Sequence, residues 1–408
     1  MLALSSVAPL SSLPTYAQDY LPRLQTLQDE ILARLEALIS IDSGTGQVEG
    51  VNCVIAHLQE WFSELHFSVT LHDTPPFGYN LVARRTGKGN ARILLVGHVD
   101  TVYMADATSI APFRVVNDIA YGPGVIDMKC GLVMCLAALR VLLEDGFDSF
   151  GELVVVFNND EEIGSTGSAP LLSDIARQVD VGLVLESSRS AEIVTKARKG
   201  ADKYMLEVTG VPAHSGAEPQ KGRSAVVELA HKILAIHNLN TLFYGVTANV
   251  TRISSSEQLN MVPDMARCHI SIRAHTQSGL DAAAHALEQI VQSRNVPDTS
   301  SRLTRLPGRK PYQATPELLQ LVELAHHEGT ALGLDIRAEG KGGLSDANLL
   351  MEMGVPTLDS LGPTGGGMHN LEREHLNIHS LPLRGALLAG LLRQLSTLPL
   401  SHSTGEKQ

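Results

Sequence analysis

Several apolar runs in this chain end in acidic residues or histidines, and this pattern constrains the fold more than any other feature. The residues concerned are His98 and Asp100 after the run 93–96, Asp127 after a glycine-rich turn, Asp160, Glu161 and Glu162 after the run 153–157, Glu186 after 183–185, and His369 after three glycines. Open α/β sheets bind ligands at the carboxyl ends of their strands, so strand-end side chains meet at one edge. Histidines and carboxylates gathered there are typical of a divalent metal site, and adjacent glutamates can divide ligand and base roles. The pattern indicates an α/β enzyme.

The order of elements along the chain predicts two domains, one inserted into the other. At 408 residues, the chain exceeds what one hydrophobic core usually supports. Strand-like and helix-like runs alternate as far as Glu186, which predicts a mostly parallel, helix-covered sheet. Residues 198–307 instead follow a β-α-β-β-α-β order, the ferredoxin-like arrangement of an α+β domain. We therefore expect a catalytic domain of residues 1–197 and 308–400, interrupted by 198–307, with a disordered leader (1–18) and tail (401–408).

Three helices of the catalytic domain can be predicted from the spacing of their apolar residues. Residues 21–41 show the helical spacing of an amphipathic helix. Residues 131–143 are apolar on nearly every side, which predicts a buried helix that is too short to span a bilayer. Residues 381–395 predict a final amphipathic helix.

Composition argues against two classes of partner. The formal net charge of −12, without any lysine- or arginine-rich run, argues against nucleic acid. No stretch has the length and apolarity of a membrane span, so no membrane partner is expected. The four cysteines are widely spaced and include no CxxC pair, which predicts reduced thiols and favours a cytoplasmic location.

Individual motifs leave alternatives open, and their combination favours a metal centre. His98 and Asp100 are two residues apart on a strand and therefore share a face, but a core histidine beside a strand-ending aspartate has the same pattern. Asp127 can bridge two cations through its two oxygens, or cap the following helix. Glu161 and Glu162 follow an apolar strand, where adjacent like charges are costly unless a cation neutralises them.

The segments that carry these residues resemble the M20 family of metallopeptidases, and in particular its glutamate carboxypeptidase branch. They occur in the family's order over nearly the whole chain. They are GHVDTV (97–102), GPGVIDMKCG (122–131), NDEEIGSTGS (159–168), VLES (184–187), RKG (198–200), VPAHSGAEPQKGRSAVVELA (211–230), NMVP (260–263), GGLSDA (342–347) and GGGMH (365–369).

The resemblance implies two zinc ions per subunit, which cobalt could replace. One carboxylate would bridge them, and each ion would also be held by one histidine and one glutamate. The implied ligands are Asp127 as the bridge, His98 and Glu186 for one ion, and Glu162 and His369 for the other. Glu161 is implied as the general base, and Asp100 as the residue that orients His98. The zinc pair would lower the pKa of a bridging water, which Glu161 would deprotonate.

The resemblance also assigns the inserted domain to dimerisation and to covering the active site. His214 matches a histidine that reaches the partner's active site, where it would stabilise the tetrahedral oxyanion. Asn260 matches a residue that contacts the carboxylate region of the substrate. The carboxylate itself would be gripped by Arg309 or Lys310, with Arg309 preferred.

The expected function is that of a homodimeric zinc amidohydrolase that releases a C-terminal amino acid, expected to be acidic, from small peptides or N-acyl amino acids. One alternative is a deacylase of the acetylornithine or succinyl-diaminopimelate type. Another, from a different class, is a catalytically silent homologue that binds a metal or ligand. The presence of Glu161 together with all five ligands argues against the silent homologue.

Overall fold

The computed structural model describes residues 13–398, which form two compact units. The first unit comprises the described residues up to Lys196, Ala314–Gly340, and the described residues from Ser345 onward. The second comprises Ala197–Gln313 and Lys341–Leu344. The expected tail 401–408 and residues 1–12 of the expected leader lie outside the described residues. Within the rest of that leader, Ala17 begins the first helix and is buried.

The elements before residue 199 include both helices and strands, but they do not alternate strictly, because three helices come first and three strands follow without a helix between them. They are α1 (Ala17–Thr26), α2 (Gln28–Ile39), α3 (Val48–Glu64), β1 (Ser68–Asp73), β2 (Tyr79–Thr86), β3 (Arg92–His98), α4 (Ala107–Ile110), β4 (Arg114–Val116), β5 (Ile119–Tyr121), α5 (Cys130–Glu144), β6 (Glu152–Asn158), α6 (Ala169–Ala176), β7 (Val181–Val184) and β8 (Ile193–Arg198).

The remaining elements form the β-α-β-β-α-β series and then the return to the first unit. They are β9 (Gly200–Thr209), α7 (Ala225–Leu242), β10 (Thr247–Ser255), β11 (Met265–Ala274), α8 (Gln277–Gln292), β12 (Ser300–Arg309), α9 (Pro316–Ala331), β13 (Arg337–Lys341), α10 (Asp346–Glu352), β14 (Thr357–Leu358), β15 (Gly365–Gly366), β16 (His375–Asn377) and α11 (Ser380–Thr397).

The first unit is built around a six-stranded sheet in the order β1-β2-β6-β3-β7-β14. The pairings β6–β3, β3–β7 and β7–β14 are parallel, whereas β1 and β2 add an antiparallel edge. Strands β3, β6 and β7 are buried along nearly their whole length, because a parallel sheet is covered on both faces. Since β3 lies between β6 and β7, the carboxyl ends of all three meet at one edge.

A second, smaller sheet of the first unit, in the order β15-β16-β5-β4, brings distant chain segments together. Strand β5 precedes the turn that carries Asp127, and the loop between β15 and β16 carries His369. The antiparallel pairing of β16 with both β5 and β15 holds that loop beside the turn. This sheet therefore joins residues that lie 242 positions apart in the chain.

The helices of the first unit differ in two respects from the predictions. The helix predicted over 21–41 is divided into α1 and α2 at Leu27, whose φ of −86° and ψ of 1° depart from helical values. The final helix α11 is buried on most sides instead of amphipathic, because α1, α5 and α9 all pack against it. Helix α5 is buried nearly all round, as predicted. None of the described helices is long and apolar enough to cross a membrane.

The second unit has the predicted ferredoxin-like topology, with an antiparallel sheet in the order β10-β11-β9-β12. Alternate residues of β9, including Tyr204, Leu206 and Val208, are buried in its core. Helices α7 and α8 contribute Leu229, Leu280 and other apolar residues to the same core. The alternation leaves the other face of the sheet more polar, as expected for a sheet with helices on one face.

Candidate metal centre

Three of the predicted site segments follow neighbouring strands of the six-stranded sheet. His98 is the last residue of β3, and Glu186 lies two residues beyond the end of β7. Beyond β6, the chain forms a short 3₁₀ turn over Glu161–Ile163. The parallel pairing of these strands places the three segments side by side, which confirms that the apolar runs deliver their terminal residues to one edge.

Asp127 lies at the centre of the cluster, and its two oxygens face different partners. Its Oδ1 is 3.3 Å from His98 Nε2, and the same nitrogen is 3.6 Å from Glu186 Oε1. Its Oδ2 is 3.1 Å from His369 Nε2, which is 3.6 Å from Glu162 Oε2. The structure therefore brings together all five predicted ligands as two donor groups that share one carboxylate. This arrangement suits a carboxylate that bridges two cations.

The donor set fits divalent cations. His98 Nε2 and Glu162 Oε1 are buried and make no hydrogen bond to the described residues. Donor atoms of His98, Asp127 and Glu162 lie within 4.8 Å of one another, as do those of His98, Glu161 and Glu186. Buried polar atoms without partners are costly, and a cation among them would remove that cost. Imidazole nitrogens mixed with carboxylate oxygens suit zinc or cobalt better than calcium.

The electrostatics of the cluster also favour added positive charge. Burial, together with the neighbouring Asp127, raises the pKa of Glu162 to about 8. Burial lowers the pKa of His98, but the neighbouring carboxylates of Asp100 and Asp127 outweigh it and raise the pKa well above its usual value. The shift reflects the negative charge of the surrounding carboxylates, which a metal ion bound to the neutral imidazole would also offset.

Asp100 connects His98 to the turn that carries the two glutamates. The ring nitrogen Nδ1 of His98 lies 2.9 Å from the backbone oxygen of Asp100 and 3.3 Å from its Oδ1. The backbone N–H groups of Glu161 and Glu162 donate to Oδ1 and Oδ2 of Asp100, at 3.1 and 3.2 Å. The hydroxyl of Thr45, which sequence reasoning missed, donates to Oδ2 at 2.6 Å. The buried Asp100 thus contacts both His98 and the turn that carries Glu161 and Glu162.

A second buried carboxylate, Glu374, contacts the backbone of the Asp127 turn. Its Oε1 accepts hydrogen bonds from the N–H groups of Ile126 and Asp127, at 3.0 and 3.2 Å. The phenol of Tyr103 donates to its Oε2. Sequence reasoning missed Glu374 and Tyr103, because neither follows an apolar run that would mark a strand end.

A third buried carboxylate, Asp346, gives a role to the GGLSDA segment, which the sequence left without one. Its Oδ2 accepts a hydrogen bond of 2.7 Å from Asn158 Nδ2, at the end of β6. Its Oδ1 accepts from the hydroxyl of Ser165, just beyond the 3₁₀ turn. The first residue of α10 therefore fixes both ends of the segment that carries Glu161 and Glu162.

His214 and Asn260 lie together in the second unit, in loops that follow β9 and β10. The Nδ1 atom of His214 accepts hydrogen bonds from the N–H groups of Gly216 and Ala217, at 3.2 and 3.1 Å. An imidazole that accepts through Nδ1 carries its proton on Nε2, which makes Nε2–H a donor. The backbone oxygen of Asn260 accepts from Ser215 N at 3.0 Å, so the two loops are joined beside His214.

Arg309 and Lys310 lie at the opposite end of the second unit's sheet. Arg309 pairs with Ala201 at the start of β9, whereas His214 follows the end of β9 at Thr209. The extended chain from Ala201 to Thr209 spans about 26 Å at the usual rise of a strand. On the other side of β9, Arg273 also pairs with Ala201, and it was not among the predicted residues. The structure therefore groups the cationic residues at one end of this sheet and separates them from His214 and Asn260.

Comparisons with known proteins agree with this fold. The profile of peptidase family M20/M25/M40 matches residues 94–394. Carboxypeptidase G2 of Pseudomonas sp. (strain RS-16) is 32% identical over 375 residues, covering 90% of this chain and 90% of that protein. A putative succinyl-diaminopimelate desuccinylase of Mycobacterium tuberculosis (strain ATCC 25618 / H37Rv) is 26% identical over 293 residues, covering 69% and 77%. A tripeptidase structure from Staphylococcus aureus matches with a TM-score of 0.75 at 22% identity, covering 91% of this chain and 99% of that chain.

Proposed function

This chain belongs to peptidase family M20/M25/M40, and from that membership we propose that it is a two-zinc exopeptidase that releases a C-terminal amino acid. As a family member it is a metal-dependent hydrolase of peptide or amide bonds. The zinc pair, the C-terminal cleavage and an acidic leaving residue are our proposal. One observation carries it, namely that Asp127 presents each of its oxygens to a separate histidine and glutamate pair.

We propose that the ligands are His98, Asp127, Glu162, Glu186 and His369, with Asp127 shared between the two cations. When bound, the cations would polarise the scissile carbonyl and lower the pKa of the attacking water. Glu161 would accept a proton from that water on its carboxylate and pass it to the nitrogen of the leaving amine. Asp100 would keep Glu161 in place, because it holds the N–H groups of the turn.

We propose that the second unit supplies the groups that recognise the substrate. The Nε2–H of His214 would donate to the oxygen that gains charge as the carbonyl is attacked, and Asn260 would lie beside it. Arg309, Lys310 and Arg273 offer positive charge for substrate carboxylates. Arg309 is preferred over Lys310, because a guanidinium binds carboxylate bidentately. An acidic leaving residue, with its additional carboxylate, would match this cationic end, and C-terminal cleavage matches the similarity to carboxypeptidase G2.

We further propose that the enzyme is a homodimer. Within one chain, His214 and the cationic group lie at opposite ends of the same sheet, about 26 Å apart along β9. One small substrate cannot reach both ends, so two chains are needed if both groups contact it. A second copy of the chain would supply His214 and Asn260 to an active site that holds its own cationic residues.

We also propose a cytoplasmic location. The cysteines Cys53, Cys130, Cys135 and Cys268 are all among the described residues and none forms a disulfide. Free thiols persist in reducing compartments, where disulfides are rare. Fractionation of cells of the source organism with an antibody would test this; recovery in the secreted or periplasmic fraction would contradict it.

A substrate panel tests the proposed reaction. Zinc-loaded protein is assayed with N-acyl-glutamate, a matched N-acyl-leucine, N-acetylornithine and N-succinyl-diaminopimelate, with the chelated protein as the control. We expect the highest kcat/KM for N-acyl-glutamate. The similarity to the desuccinylase favours the deacylase as the second candidate, and fast turnover of N-succinyl-diaminopimelate alone would establish it instead. No turnover by a protein that binds metal would support the silent homologue.

A further inference from the structure

Glu374 is a buried acidic residue that belongs to none of the donor groups at the metal centre. Its side chain is 1% exposed, and it immediately precedes β16. Both of its oxygens are engaged, Oε1 with the backbone of the Asp127 turn and Oε2 with Tyr103. A buried charge is costly, so a carboxylate kept at this position needs a compensating role.

The contacts of Oε1 bear directly on the direction of the Asp127 side chain. The two N–H groups it accepts belong to consecutive residues, Ile126 and Asp127, so Glu374 fixes the peptide plane that leads into Asp127. The turn is irregular at this point, because Asp127 has non-helical backbone angles, with φ of −125° and ψ of 92°. A small rotation of this backbone would move both Asp127 oxygens away from their partners together.

We propose that Glu374 is a positioning residue that orients Asp127 so that each of its oxygens can bind one of two cations. The inference rests on the proposed two-cation function. It concerns the binding of metal and not the chemistry of the substrate, so metal titration tests it without any turnover. Glu374 acts through hydrogen bonds to the backbone, and its acceptor oxygen matters more than its charge.

Glu374→Ala, Glu374→Gln and Glu374→Met separate these contributions. Ala removes the acceptor and leaves a gap, whereas Met fills a similar volume without an oxygen acceptor. Gln keeps an oxygen for the two N–H groups, while its NH₂ group can turn toward the Tyr103 oxygen, which is able to accept. Glu372→Ala is the matched control, because Glu372 is exposed on the same loop. Leu287→Ala, a core truncation in the second unit, controls for general loss of stability.

The measurement is a calorimetric titration of metal-free protein with zinc, supported by the visible absorption spectrum of the cobalt-loaded protein. Glu374→Ala and Glu374→Met should bind at least one cation about 10- to 100-fold more weakly, as is usual when a partner behind a metal ligand is lost. Their cobalt spectra should change. Glu374→Gln should restore most of the affinity, and Glu372→Ala should match wild type. If Ala does not fold, Met carries the test.

Three results would overturn the proposal. The first is wild-type affinity in both Glu374→Ala and Glu374→Met. The second is an equal loss in Glu374→Gln, which would show that charge matters and not the acceptor oxygen. The third is a loss no greater than that of Leu287→Ala at a similar decrease in stability. A wild-type protein that binds two zinc ions but hydrolyses none of the panel substrates would refute the proposed reaction alone and leave this test intact.

Discussion

At the scale of single residues, Glu161 and Glu162 are adjacent in the chain but differ in their surroundings. Glu162 lies 3.6 Å from His369 Nε2, whereas Glu161 groups with His98 and Glu186. The backbone N–H groups of both residues donate to Asp100, in hydrogen bonds that do not involve either glutamate side chain. Their roles can therefore be separated by substitution without disturbing the turn.

We expect Glu161→Gln to lower kcat by about 10²- to 10⁴-fold, because the amide cannot accept the proton from water. Zinc stoichiometry, measured by atomic absorption after dialysis, should stay at the wild-type value. Glu372→Gln on an exposed loop is the control and should keep full activity. Loss of zinc from Glu161→Gln would mean that Glu161 is a ligand and not the base.

Residues of the site differ in how readily the sequence marks them. His98, Glu161, Glu162 and Glu186 were found because each follows an apolar strand, and parallel strands bring such residues together. Thr45, Tyr103 and Glu374 lie in loops, and their importance comes only from which backbone groups they meet. That information depends on the tertiary fold and is absent from local patterns.

At the scale of elements, three helices of the first unit meet around one glycine. Gly390 of α11 faces Ala17 of α1 and Glu328 of α9, and a Cβ added there would clash with Glu328 Oε2 and lie 2.8 Å from the Ala17 Cβ. At Gly385 of the same helix, an added Cβ would meet its nearest neighbours, in Leu24 and Met134, at 3.4 Å. The two glycines therefore respond differently to the same substitution.

We expect Gly390→Ala to lower the free energy of unfolding by about 1–3 kcal/mol, as overpacking of a core does. Gly385→Ala should leave it unchanged or raise it by up to about 1 kcal/mol, because alanine favours a helix. Urea unfolding of both variants, followed by circular dichroism, measures the difference. Equal destabilisation of the two would contradict this description of the helix contacts.

The same junction predicts a pH dependence. Glu328 Oε2 accepts from the N–H groups of Tyr16 and Ala17, at 2.9 and 2.8 Å, and so caps the start of α1. Burial raises the pKa of Glu328 despite these hydrogen bonds. A carboxyl with a raised folded pKa stabilises the protein at pH values below its unfolded pKa, and this contribution is lost as the pH rises through the folded pKa.

Glu328→Gln should remove that loss while keeping an oxygen for the cap. The free energy of unfolding of Glu328→Gln relative to wild type should therefore increase as the pH rises from about 4 toward 7, since the unfolded pKa is about 4.3. Urea titrations at several pH values, in chelator, measure it. Glu323→Gln, exposed on the same helix, is the control and should show a flat difference.

Helices and strands were predicted best where their apolar residues recur at a regular spacing within a short stretch of sequence. The β-α-β-β-α-β series was found in order because each strand alternates and each helix has its own apolar stripe. The single helix expected over 21–41 and the amphipathic α11 were wrong, because a kink at Leu27 and cover from α1, α5 and α9 are tertiary features. The position of β1 and β2 at the antiparallel edge likewise depends on pairing that no local pattern specifies.

At the scale of the whole molecule, the proposed exchange of His214 between two chains can be tested by complementation. Glu161→Gln disables its own site but keeps a working His214, and His214→Ala does the reverse. Mixed, unfolded and refolded together, the two variants should recover about one quarter of wild-type activity, because half of the dimers are mixed and each has one complete site.

Sedimentation should show dimers in each preparation. Unmixed variants, treated identically, are the control and should remain nearly inactive. A mixture no more active than the sum of its components would show that His214 serves its own chain. A monomer that is fully active would refute the dimer itself.

The discontinuity of the first unit has a consequence for how the protein is made. Helix α1 packs against α11, and β7 pairs with β14, so this unit draws on both early and late parts of the chain. By contrast, the four-stranded sheet and the two helices of the second unit all lie within one continuous stretch, residues 200–309. On the ribosome, the second unit can therefore fold before the C-terminal residues, which the first unit needs, have been translated. The proposed metal centre, which would need His369, would be completed only near the end of synthesis.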